Sequence, residues 1–180
     1  MKELPNILTI FRILLIPILV MSFYITDDLG SWLAAIIFTF ASITDYFDGV
    51  LARSLNAQSQ FGRVLDPIAD KLLVAATLMM LVHLGKAPVL PAILILCREI
   101  TVSGLREYLA EFKLSIPVTR LAKFKTGIQF AAILILLLNE RIINVPYIDL
   151  AGKIAIWIAA ILTLITGYAY CKEGFKKIID

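Results

Sequence analysis

With 180 residues, 60% of them hydrophobic and only 17% charged, the chain departs from the soluble-domain mixture of roughly half apolar and a quarter charged residues. A mean hydropathy of +0.89 excludes an ordinary water-soluble enzyme, and a net charge of +3 gives no basis for a nucleic-acid partner. The composition fits one all-α, polytopic integral-membrane domain over residues 1–180; at about 20 residues per span it crosses a bilayer about six times at most.

Hydropathy and turn punctuation predict six transmembrane helices. The first, Ile7 to Ile25, is read as a retained span because its apolar run ends without a small-residue cleavage site, and Pro17 is expected to bend it. Asn6, Thr9 and Arg12 stand near its inner mouth, where they either cap the helix or offer hydrogen bonds to a nucleotide or headgroup. The break "TDDLGS" leads to a second helix, Trp32 to Arg53, and the third runs from Val64 to His83, the lone histidine, read as an interfacial structural residue. "GKAP" separates it from Val89 to Glu111. "KLSIP" precedes the fifth, Thr126 to Leu138, which extends backward through Lys123; "NERIINVP" near Asn139 precedes the sixth, Ile148 to Cys171. Cys97 and Cys171 lack metal-type spacing and are expected to be inert buried thiols.

Charge decides the orientation. With the N-terminus inside, the inner face collects Lys2, Arg53, Arg63, Lys113, Arg120, Lys123, Lys125, Lys172, Lys176 and Lys177, whereas the outer loops hold Lys86, Arg141 and Lys153. The positive-inside rule places both termini in the cytoplasm. The same orientation brings an acidic segment, Ile43 to Leu73, to the cytoplasmic side.

That segment is the least expected part of the chain. Counted at ~1.5 Å per residue from Trp32, Asp45 lies roughly 20 Å into a hydrocarbon layer about 30 Å thick, where a carboxylate is costly unless it faces a wet cavity or a partner. At 100° per residue Asp45, Asp48, Gly49 and Ala52 share an arc of about 100°, and Gly62, Asp66 and Asp70 one of about 80°. The short connection lets the two acidic stripes converge. Clustered carboxylates raise one another's pKa, and divalent metal relieves this; all-oxygen ligands without Cys or His suit Mg²⁺, Mn²⁺ or Ca²⁺. Two such ions would form a clamp for phosphoryl displacement. Gly49, Ala52 and Gly62 leave room for a bulky group beside the metals or simply pack helices closely, and Arg53 either holds a diphosphate oxygen or snorkels.

Asp45 to Asp70 also match D-x2-D-G-x2-A-R-x8-G-x3-D-x3-D without a departure, and on this signature the chain resembles the CDP-alcohol phosphotransferase family. The resemblance implies that family's six-helix fold, with Asp45, Asp48 and Asp66 binding two divalent cations, Mg²⁺ or Mn²⁺, with help from Asp70. It further implies that Asp70 deprotonates the acceptor hydroxyl, that Gly49, Ala52, Arg53 and Gly62 contact the CDP moiety, and that the protein is a homodimer. "LPNILTIFR", "LDPIADKLLV", "CREITVSGLREYLAE" and "KFKT" resemble the branch that moves a phosphatidyl group from CDP-diacylglycerol to glycerol 3-phosphate, releasing CMP. Ala122 stands where that branch is expected to have glycine before Lys123. Compactness and the resemblance point to a bacterial inner membrane.

Arg98 and Arg106, two turns apart on the fourth helix, share a face. Arg98 either pairs with Glu99 or binds the acceptor's phosphate; Lys123 and Lys125 either complete that anion site or anchor the inner face. Two rivals stay open: another acceptor in the same family (inositol phosphate, serine or phosphatidylglycerol), and a cation transporter, which would prefer midplane acids on broken helices in repeated halves.

Overall fold

A computed structural model describes the backbone of residues 4–26, 28–54, 60–112, 114 and 120–179, and the side chains among these other than at 4–7, 45–54, 60–64, 66, 120, 123, 141 and 179. The described residues form six helices in chain order: α1 Leu4–Ser22, α2 Asp28–Ser54, α3 Gln60–His83, α4 Val89–Glu111, α5 Arg120–Ile143 and α6 Ile148–Ile179. The expected all-α architecture and the helix count are met, and α4 has the expected ends.

The other boundaries shift for identifiable reasons. α2 begins at Asp28 instead of Trp32: the Asp28 carboxylate suits a helix N-terminus. Gly30, inside the helix, lets the start of α2 approach the chain end of α1 closely: a Cβ there would lie 2.6 Å from the carbonyl oxygens of Ser22 and Ile25. α1 correspondingly stops at Ser22, whose hydroxyl donates to Leu19 O at 2.6 Å. α5 reaches Ile143 only across a kink at Asn139, φ 38° and ψ 170°, the position at which the sequence predicted a break. The Asp149 carboxylate accepts the Glu140 amide at 2.7 Å and secures the turn beyond the kink. α6 continues past Cys171 to Ile179, with Lys176 and Lys177 in its last turn, where cations are favoured.

Packing joins α1 to α2 and α3, α2 to α5, α3 to α4, and α6 to both α4 and α5. The interior is rich in small residues: Ala34, Ala35, Ala41, Ala132, Ala159 and Ala160 are buried, with Phe38, Leu73, Ile95, Ile133 and Ile156 filling between them. Small residues let helix backbones approach closely where dispersion and not water drives association. Phe38 and Phe130 stack at 5.1 Å across the α2–α5 contact. The exterior is apolar as well, with Leu14, Met21, Ile36, Met79, Ile100 and Ile161 all more than half exposed, which is the reverse of a water-soluble bundle.

Among the described residues one helix, Ile148–Ile178, is long and apolar enough by itself to cross a bilayer; Leu8–Ser22 and Asp28–Thr44 are shorter apolar helices. Charged side chains such as Arg98, Glu99, Arg106 and Glu107 interrupt the apolar run of α4. Cys97 departs from the sequence expectation: it is exposed, not buried, and Cys171 is partly exposed, both as free thiols. A thiol is apolar enough to sit on such a surface.

Candidate active site

The site is a cavity of about 940 Å³ between α2, α3, α4 and α5, with Ser42, Asp70, Lys71, Glu99, Glu107 and Lys125 among its polar lining and Phe38, Ile43, Ile68, Leu72 and Ile133 among its apolar lining. A mixed wall of this kind suits an amphipathic ligand. α3 contributes Asp70, which is exposed, followed by Lys71, whose ammonium donates to the Pro67 carbonyl at 2.8 Å. Proline offers no amide hydrogen to the helix, and the lysine binds the helix one turn back through that residue's oxygen.

A different wall comes from α4 and α5, backed by α6. Arg98 Nη1 donates to Glu99 Oε1 at 3.2 Å, and Lys125 Nζ donates to the same carboxylate oxygen. Arg98 Nη2 donates to Thr166 Oγ1 on α6 at 3.2 Å. These charges are enclosed: the side chain of Lys125 is 4% exposed, that of Arg98 12% and that of Glu99 22%. A buried cation of this sort requires an anion, and one carboxylate serves two. Arg106, one face with Arg98 as predicted, lies with its guanidinium carbon 5.8 Å from the centre of the Tyr170 ring. Lys71, Arg98 and Arg106 line a second cavity of about 320 Å³, which shares Lys71, Glu99, Ser103 and Glu107 with the larger one. Glu99 therefore lines both, between Asp70 and Lys125 in the larger chamber and Arg98 and Arg106 in the smaller, more basic one.

Of the expected acceptor-phosphate residues, Arg98, Arg106 and Lys125 are brought to these adjoining cavities, while the side chain of Lys123 lies outside the described residues. Asn6, Asp45, Asp48, Gly49, Ala52, Arg53, Gly62 and Asp66 lie outside them too; the backbone is helical at all these positions. Thr9 and Arg12 are buried on α1, each 1% exposed. Sequence reasoning missed Lys71, Glu107 and Thr166 and treated Glu99 only as a partner for Arg98. Lys71 had a signal in the charge following Asp70 within an apolar helix; Thr166 had none, since its role arises only where α6 meets α4.

Among the described residues no group of three or more His, Cys, Asp or Glu side chains lies close enough to hold a metal ion. Asp70 is the member of the predicted ligand set whose side chain is described, and a cavity-facing carboxylate with no nearby thiol or imidazole in the lining fits a hard divalent cation.

The helical bundle thus places a carboxylate and a basic cluster at adjoining cavities, and the chain belongs to the CDP-alcohol phosphatidyltransferase family, whose model matches residues 2–165. Its relatives narrow the class. It is 50% identical over 177 residues to the CDP-diacylglycerol–glycerol-3-phosphate 3-phosphatidyltransferase of Rickettsia felis, covering 97% of this chain and 98% of the relative. The protein of that name from Rickettsia typhi is 51% identical over 178 residues, covering 97% and 100%. That of Escherichia coli K12 is 37% identical over 182 residues, covering 99% and 98%.

Proposed function

We propose that this chain transfers the phosphatidyl group of CDP-diacylglycerol to sn-glycerol 3-phosphate, giving phosphatidylglycerophosphate and CMP. The observation that carries the reading is that the exposed Asp70 carboxylate lines one mixed cavity with Glu99 and the enclosed Lys125, while Arg98, paired to the same Glu99, lines the adjoining cavity. Full-length similarity to relatives bearing that enzyme name supports it.

In this mechanism the apolar lining receives the upper part of the lipid, and Gly49, Ala52, Arg53 and Gly62, with Asn6 and Thr9, hold the CDP end. Arg98, Arg106, Lys123 and Lys125 bind the phosphate of the acceptor, which aims its free primary hydroxyl at Asp70. The Asp70 carboxylate takes the hydroxyl proton. The oxygen forms a bond to the lipid-linked phosphorus in line as the bond from that phosphorus to the CMP oxygen breaks. Asp45, Asp48, Asp66 and Asp70 would hold two divalent cations, Mg²⁺ or Mn²⁺, which when bound neutralise charge on the pyrophosphate oxygens.

The same reading gives six spans in a bacterial inner membrane, both termini and the cavity mouth on the cytoplasmic side, and a homodimer; the apolar exterior of the bundle supports the membrane placement. Purified protein assayed for CMP release against a panel of acceptors is the test. Turnover with glycerol 3-phosphate that stops on chelation and returns with Mg²⁺ or Mn²⁺ is expected. Preference for serine or another uncharged acceptor would reassign the substrate while leaving the reaction class intact.

A further inference from the structure

Arg98 does not reach the basic cavity unaided. Its side chain crosses α6 where residue 167 is glycine: a Cβ there would lie 2.8 Å from Arg98 Cγ and 3.2 Å from Nε. The first contact involves the part of the arginine nearest its own backbone, so the side chain cannot evade a methyl group by swinging its far end. One residue earlier, Thr166 is held in a fixed orientation. Its hydroxyl lies 2.8 Å from Leu162 O and 3.1 Å from Thr163 O, to which it donates. A hydroxyl has one proton and two lone pairs. With the proton committed to its own helix, the oxygen accepts from Arg98 Nη2 at 3.2 Å.

We infer that the Thr166–Gly167 step of α6 is a positioning element for Arg98, fixing the guanidinium for recognition of the acceptor's phosphate. Gly167 supplies the groove in which the stem lies, with Nε buried and without a hydrogen-bond partner among the described residues. Thr166 fixes one end of the guanidinium plane and Glu99 the other. A planar fork recognises phosphate through direction as well as charge, so loss of the clamp costs acceptor affinity and spares the donor end of the cavity. The inference rests on the assignment of Arg98 to the acceptor, and the experiment separates the two.

In the full chain, purified and reconstituted, kcat and both KM values are measured for Thr166→Val, Thr166→Ser, Gly167→Ala and Arg98→Ala. Loss of a hydrogen bond to a charged donor corresponds to on the order of a tenfold change. Thr166→Val is expected to raise the glycerol 3-phosphate KM by about that factor, with the CDP-diacylglycerol KM unchanged and Thr166→Ser near the parent. Gly167→Ala is expected to act in the same direction. An unchanged acceptor KM in Thr166→Val while Arg98→Ala raises it would overturn the positioning role and leave the acceptor assignment standing. Equal rises in both KM values would reduce the step to general packing and overturn it too. If Arg98→Ala itself leaves the acceptor KM unmoved, the assignment falls and the inference with it.

Discussion

The two walls of the cavity carry their charges under opposite physical conditions. On α3, Asp70 is exposed where the helix meets the chamber. On α4, α5 and α6, Lys125 is nearly enclosed, and it shares Glu99 with Arg98. An exposed carboxylate stays open to a proton or a cation arriving from the chamber. An enclosed cation is costly without an anion, so that wall is prebuilt around one, and an incoming phosphate meets donors that are already oriented. The difference teaches that one wall offers an open carboxylate and the other a preassembled charge cluster, which is the contrast that the proposed division between reaction and acceptor recognition rests on.

Substitution of Asp70 by Asn breaks the comparison most severely. It is expected to lower kcat by roughly 10²- to 10⁴-fold, the range of general-base catalysis, with donor binding largely retained; CMP release and CDP-diacylglycerol binding measured together check it. Undiminished turnover would remove Asp70 as the base.

Lys125→Met attacks the other wall. Truncating one member of an enclosed charge pair costs about 2–5 kcal/mol, and here the expected readout is a rise of tens of fold in acceptor KM, with less change in kcat. A kcat loss at constant KM would mean that the lysine serves the chemical step instead.

Glu99→Gln is expected to act on stability more than on rate. It leaves Arg98 and Lys125 facing each other across a neutral amide, and breaking such a pair costs about 3 kcal/mol, seen as a fall of several degrees in thermal midpoint in detergent. Adding phosphate should recover part of that loss by supplying an anion to the two uncompensated cations.

The smallest effect lies far from the cavity, in the loop between α3 and α4. Burial lowers the Lys86 pKa from its ordinary 10.5, against the opposing attraction of Asp149 and Asp28, and the ammonium donates to Ser31 Oγ at 3.1 Å. The folded state then binds fewer protons than the unfolded chain, so this group's penalty is full below the depressed folded value and is relieved as pH climbs toward 10.5. Lys86→Met should flatten that rise in a pH series of thermal midpoints, by about a degree or two; an identical series for both proteins would refute it.

Much of this was legible in the sequence because it is periodic or local. Apolar runs, "GKAP" and the Asn139 break set the helices, and two-turn spacing put Arg98 and Arg106 on one face. Boundaries failed where contacts between helices decide them, as at Asp28 with Gly30 against the end of α1. Glu99 showed the same limit. Its neighbour in sequence was evident, but its second cation, Lys125, comes from another helix.

Composition and turn punctuation determined an apolar bundle of six helices, and the ordered aspartates marked where a site was to be expected, since a carboxylate within an apolar helix is costly without a function. Only the tertiary arrangement decided which cations share an anion and which helix steadies Arg98. Those pairings depend on ångström-scale approach between α4, α5 and α6, a distance that no spacing along one strand of sequence encodes.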